Sequence, residues 1–240
     1  GFCRAGRMNS SKEIICKMYR SGLVVNYTVY CTLLYHFCQQ GNIAEAMRTY
    51  ALMHKSGHVP DLFVCNLLVS SLCRCGKIGE AEDFMHHMHR IGITPNSFTF
   101  NSVIGGCRNK GDGLKAFSLF DDMIQLGNHP SSYTYASLLK SLCTAGNLLI
   151  GVKFFDQLRH IPYAVNAAAY NILLAETCKS GKFQMTLSIL DEMVSNNVLP
   201  DDCTYTSLFD GLCRKGRMVT AIILVGRVLE RGTFFTNQGR

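Results

Sequence analysis

The sequence predicts an all-α solenoid, built by stacking antiparallel helix pairs that repeat every 35 residues. Three observations carry that expectation. Glycine recurs at Gly6, Gly41, Gly76, Gly111, Gly146, Gly181 and Gly216, always at the same interval. Proline keeps the same spacing at Pro60, Pro95, Pro130 and Pro200. Between these markers the apolar residues fall at helical spacing, and a fixed period of this length is the signature of a stacked repeat.

One repeat shows how each element arises. In 62–76 the apolar residues Cys65, Leu68, Val69, Leu72 and Cys73 fall at i, i+3, i+4, i+7 and i+8, which is one face of a helix. Gly76 stops that helix, because glycine takes the left-handed conformation at little steric cost. A second helix follows, with Ile78, Ala81, Phe84, Met85 and Met88 on one face. Glu80, Glu82 and Asp83 lie near its start, where the helix dipole favours acids. Gly92 ends it and Pro95 discourages any continuation. Neither helix can bury its stripe alone, so neighbouring pairs must stack.

The complete units are 27–61, 62–96, 97–131, 132–166 and 167–201. Residues 1–26 read as the tail of an earlier unit and 202–240 as a degenerate C-terminal one, all within a single solenoid over 1–240. Pro162 falls where Gly57, Gly92, Gly127 and Gly232 fall in other units. Met53, Met88, Met123, Met193, Phe120 and Phe155 recur at core spacing and form no cofactor box.

Composition narrows the class. At 48% hydrophobic and 17% charged residues, the chain can bury a large core and is no disordered polymer. The net charge of +7 is compatible with a polyanionic partner. No apolar run is long enough for a membrane span. No signal or transit peptide is visible, and the pattern begins in mid-repeat, so a longer parent protein is expected.

Twelve cysteines raise the question of disulfides or zinc. Six of them, Cys3, Cys38, Cys73, Cys143, Cys178 and Cys213, share one repeat position. Equivalent positions in a solenoid lie about one repeat apart, so buried, reduced thiols are expected instead. Of the eight histidines only His54 and His89 share a repeat position, and the carboxylates form no recurrent pair suited to acid–base work. No metal, cofactor, small-molecule substrate or catalytic group is therefore expected.

Tetratricopeptide repeats have a period of about 34 residues and ankyrin repeats about 33, each with its own signature, and neither fits. The unit here carries Tyr-x-x-Leu-Leu/Ile, then Leu-Cys-Arg/Lys-x-Gly, then Gly-x-x-Pro-Asp. Asn171-Ile172-Leu173-Leu174, Leu199-Pro200-Asp201 and Gly211-Leu212-Cys213-Arg214-Lys215-Gly216-Arg217-Met218 are close matches to the pentatricopeptide repeat (PPR) consensus. The chain resembles that family along essentially its whole length, and its constant unit length resembles the P subclass. The Gly-Leu-Cys-Arg-Lys-Gly-Arg phrase resembles the fertility-restorer-like group.

The resemblance implies a right-handed superhelix that binds single-stranded RNA, one base per repeat, without enzymatic activity. It implies base-reading residues on the first turn of the first helix of each unit: Cys31, Asn66, Asn101, Ala136, Asn171 and Thr206. Unit-final residues assist them: Asp61, Asn96, Ser131, Asn166, Asp201 and, in the degenerate unit, Thr236. Base-stacking positions are Thr28, Phe63, Phe98, Tyr133, Ala168 and Cys203. Phosphate contacts fall to Arg4, Arg74, Lys179 and Arg214, whose equivalents Gln39, Asn109 and Thr144 are uncharged. By the same resemblance, 62–96 reads a pyrimidine, 97–131 reads C and 167–201 reads U, with RNA running 5′ to 3′ alongside the chain. Cys31 and Ala136 offer a poor or absent hydrogen-bonding group, so their units discriminate weakly.

The unit-final residues precede helices, where capping residues are favoured in any case. Asparagine is a mediocre helix former, so its recurrence at 66, 101 and 171 favours a binding role. A protein-binding solenoid of tetratricopeptide type, and the targeting arm of a larger RNA-processing enzyme, remain as alternative readings. The family implies RNA processing, stability or translation in a mitochondrion, or alternatively a chloroplast, with protein partners in RNA processing.

Overall fold

The computed structural model describes residues 25–144, 146–214, 216 and 226. Helices follow one another as α1 (Tyr27–Gln39), α2 (Ile43–Lys55), α3 (Leu62–Arg74), α4 (Ile78–Arg90), α5 (Ser97–Lys110) and α6 (Gly113–Gln125). They continue as α7 (Ser132–Thr144), α8 (Leu148–Leu158), α9 (Ala167–Lys179), α10 (Phe183–Ser195) and α11 (Asp202–Arg214). No strand occurs among the described residues. Of these residues, those up to Gly106 together with Gln125–Asn128 form one compact unit, and Cys107–Ile124 with those from His129 onward form another.

Several helix starts and stops have a visible local cause. Asn26, Asp61 and Asn166 cap α1, α3 and α9, their side chains accepting from the backbone N–H of Val29, Val64 and Ala169 at 3.0, 2.9 and 3.2 Å. At the far end of α3, Gly76 takes φ +73°. This lets the N–H of Lys77 reach the Leu72 carbonyl at 2.9 Å and that of Gly76 reach Cys73 at 3.0 Å. The turn thus satisfies carbonyls that the helix leaves open.

In the first unit α1 packs on α2 and α3, and α3 on α4. In the second, α9 packs on α7, α8, α10 and α11. The buried face of α4 is Ile78, Ala81, Phe84, Met85 and Met88, the stripe expected from spacing. Met53, Met88, Met123 and Met193 are all fully buried, each at the same point of its second helix. Successive first helices approach closely at the cysteine position. The Ser71 hydroxyl donates to the Cys38 carbonyl at 3.1 Å, and a Cβ on Gly211 would strike Cys178.

The cysteines of that register, Cys38, Cys73, Cys143 and Cys178, are buried. Cys3 and the side chain of Cys213 lie outside the described residues. Cys38, Cys65, Cys143 and Cys178 are thiols, and burial pushes each up, Cys65 and Cys143 to about 12. Proline at 162 changes one turn. Its ring locks φ negative, so the left-handed residue moves one place on, to Tyr163 at φ +61°. The preceding helix α8 has 11 residues, against 13 in α4 and α10. Asn197 fills the usual glycine place directly at φ +56°.

Candidate functional site

The first turns of the odd-numbered helices place the expected residues. Thr28, Phe63, Phe98, Tyr133, Ala168 and Cys203 are exposed, all six of them. Phe63 and Phe98 are 61% and 56% accessible, unusual for rings in a protein that buries most of its apolar side chains. Tyr133 is exposed on the same register, with the Arg108 guanidinium 5.9 Å from its ring centroid.

Three residues further on, Cys31, Asn66, Asn101 and Asn171 are half-buried, Thr206 is exposed and Ala136 is buried. At Ala136 a methyl group faces the core where other units carry a polar group. Asp61, Ser131 and Asp201 are exposed, and Asn96 and Asn166 half-buried. Each also caps a helix. Asn96, Ser131 and Asp201 accept from the N–H of Thr99, Thr134 and Thr204 at 3.1, 3.3 and 2.8 Å. Thr236, like Arg4, lies outside the described residues.

Capping coexists with contact to the asparagine 30 residues earlier. Asn171 Nδ2 donates to Asp201 Oδ1 at 2.9 Å, and Asn66 Nδ2 to Asn96 Oδ1 at 3.4 Å. Burial pushes the Asp201 carboxyl up, but hydrogen bonds from the Thr204 N–H, Asn171 and the Thr204 hydroxyl outweigh it and hold it below its ordinary value. In 27–61 a different set meets. Burial raises the Tyr27 phenol, and neighbouring Asp61 and Cys31 add to the rise. Burial likewise raises the Cys31 thiol.

The two candidate cations whose side chains are described, Arg74 and Lys179, are engaged within the protein. Arg74 donates to the Cys38 carbonyl at 2.9 Å and to Gln39 at 3.5 Å. Lys179 pairs with Glu176 at 2.9 Å, and Lys140 meets the same carboxylate at 2.6 Å. Burial pushes Glu176 up, yet the two lysines prevail and hold it below its ordinary value. The side chain of Arg214 is outside the described residues.

Sequence spacing missed Thr99 and Thr204. Both are fully buried, and each donates from Oγ1 to the asparagine of the preceding repeat, Asn66 or Asn171, at 2.6 Å. The available signal was a threonine 33 residues after the asparagine.

Among the described residues, an all-helical repeat with a register of exposed rings and half-buried amides defines a class of helical-repeat proteins. The PPR repeat family model matches residues 60–109, 99–144 and 165–214, more than half of the chain. The pentatricopeptide repeat domain model matches 13–72, and a PPR repeat model matches 1–23 and 203–233. The chain belongs to the pentatricopeptide repeat family.

The crystal structure of the pentatricopeptide repeat protein PPR10 from maize is similar, at 23% identity and a TM-score of 0.75 over 96% of this chain and 33% of that one. PPR10 in complex with an 18-nt psaJ RNA element matches at 18% identity and a TM-score of 0.69, covering 95% of this chain and 38% of the other. The PPR domain of Arabidopsis thaliana protein-only RNase P 1 (PRORP1) in complex with tRNA matches at 17% identity and a TM-score of 0.57, covering 74% and 94%. The chain thus spans about a third of the length of PPR10. No curated protein sequence matches it.

Proposed function

We propose that the protein binds single-stranded RNA sequence-selectively, one base per repeat, and carries out no reaction itself. The observation that carries this reading is the register of stacking faces beside amides. Phe63, Phe98 and Tyr133 are exposed at one repeat position, and Asn66, Asn101 and Asn171 are half-buried at another, three residues on. A ring exposed at a fixed interval suits a base face, and an amide offers both donor and acceptor to a base edge. The fold shared with RNA-bound PPR10 and the tRNA-bound PRORP1 domain supports the same partner.

Within this reading, 62–96 takes a pyrimidine, 97–131 C and 167–201 U, while 27–61 and 132–166 discriminate weakly. Fluorescence anisotropy with an oligonucleotide carrying pyrimidine-C-any-U, set against a scrambled oligonucleotide, tests it. We expect at least tenfold tighter binding to the matched RNA, since each well-read base contributes roughly 1–3 kcal/mol of discrimination. Asn101→Ala should relax preference at one base only. Equal affinity for both RNAs would sink base reading, and no binding at low salt would sink RNA recognition by this chain. Occupancy of a transcript would then act in organellar RNA processing, stability or translation, in mitochondria rather than chloroplasts, with processing proteins as partners. Imaging the full-length protein as a fluorescent fusion checks the compartment: chloroplast signal would assign the alternative organelle, and nuclear or cytosolic signal would refute an organellar role.

A further inference from the structure

The same three-residue arrangement occurs once in each compact unit. In the first, Asn66 donates from Nδ2 to Asn96 and accepts at Oδ1 from Thr99. In the second, Asn171 donates from Nδ2 to Asp201 and accepts at Oδ1 from Thr204. Both threonines accept the N–H of the unit-final residue, from Asn96 at 3.1 Å and from Asp201 at 3.0 Å.

A hydroxyl has one proton to donate. The asparagine oxygen, at 2.6 Å, is nearer than the unit-final oxygen, at 3.0 Å in one case and 2.9 Å in the other. In the second case that Asp201 oxygen already accepts from the Thr204 N–H and from Asn171. The proton therefore goes to the asparagine, which fixes which end of the amide is oxygen and which is nitrogen. One N–H of Nδ2 and one lone pair of Oδ1 stay outside these bonds, at fixed places.

The sequence carries the same pattern. Threonine follows asparagine by 33 residues at Asn66 and Thr99, Asn101 and Thr134, and Asn171 and Thr204. Where the first residue is Cys31 or Ala136, the second is Val64 or Ala169, without a hydroxyl. Val64 and Ala169 are as fully buried as the threonines. The fold accepts an aliphatic side chain there, and Asp61 and Asn166 cap their helices without the threonine. Helix capping alone thus leaves the pattern unexplained.

We propose that Thr99 and Thr204 are specificity-determining positioning residues, each orienting the base-reading amide of the preceding repeat. The inference rests on the RNA-reading function proposed above. An amide free to turn over presents donor and acceptor in either order. A clamped amide presents one order and so favours one base.

The test measures anisotropy of the full chain with RNAs varied at one position, and melting temperature in parallel. Thr204→Val should lower discrimination at the base opposite 167–201 about tenfold. It should leave preference at the other bases unchanged and lower the melting temperature only slightly, through the lost hydrogen bonds, and Thr204→Ser should restore discrimination. Thr99→Val should do the same at the base opposite 62–96. Full discrimination by Thr204→Val, with Asn171→Ala having lost it, overturns the proposal while sparing base reading. Full discrimination by Asn171→Ala refutes base reading, and the proposal falls with it. Installing the arrangement is independent of any loss of folding. Cys31→Asn with Val64→Thr, beside the existing Asp61, should gain more preference for U than Cys31→Asn alone, and equal gain by both overturns the proposal.

Discussion

At the scale of single residues, chemistry follows burial and its partners. Cys38, Cys65, Cys143 and Cys178 are buried thiols held protonated by desolvation, whereas Cys75 and Cys203 are exposed. The thiolate is the nucleophile, so the buried group should react slowly. Iodoacetamide at neutral pH, followed by peptide mass spectrometry, should label Cys75 and Cys203 well before those four. Labelling of Cys65 at the rate of Cys203 would contradict its burial. Periodicity made the buried cysteines legible, because a shared register places them on one face. Together with the family resemblance it also picked out Asn66 and Asn171. It did not show Thr99 and Thr204, because a threonine in a first helical turn also suits a capping role. Their contact crosses a repeat boundary, and only the fold reveals it.

At the scale of elements, glycine and proline punctuation made most helix ends legible. Gly41, Gly76, Gly111, Gly146, Gly181 and Gly216 all take positive φ. The turn after α8 differed because Pro162 cannot take that conformation, and the sequence alone did not say which neighbour would. Tyr163 takes it instead, with 94% of its surface exposed. A left-handed conformation costs an ordinary residue about 1–2 kcal/mol, and asparagine less because its side chain can bond locally. Tyr163→Asn should therefore raise stability by about 0.5–1 kcal/mol. Chemical denaturation measures this, with a higher midpoint and an unchanged slope as the expected outcome. An unchanged or lower midpoint would mean that Tyr163 makes a compensating contribution.

At the scale of the whole molecule, the net charge of +7 suggests a basic binding surface, but individual lysines are already committed. Glu176 on α9 joins Lys140 of α7 and Lys179 of its own helix, and its side chain is 11% accessible. That carboxylate links two helices and also offsets the charge of both lysines. Glu176→Gln should thus move two properties in opposite directions. Stability at neutral pH should fall by about 1 kcal/mol, since a charge-assisted bond between helices is lost. The lowered carboxyl pKa sets the sign of the pH dependence. Its contribution is present above the unfolded carboxyl value, about 4.3, and is lost as pH falls through the lower folded value. The stability gap between wild type and variant should close under acid. RNA affinity should meanwhile rise about threefold at low salt, with a steeper salt dependence, as two lysines become available to phosphates. Denaturation across pH and anisotropy across salt measure the two effects on the same protein. Loss of stability without any gain in affinity would assign Lys140 and Lys179 to the fold alone and remove Lys179 from the phosphate-contacting set.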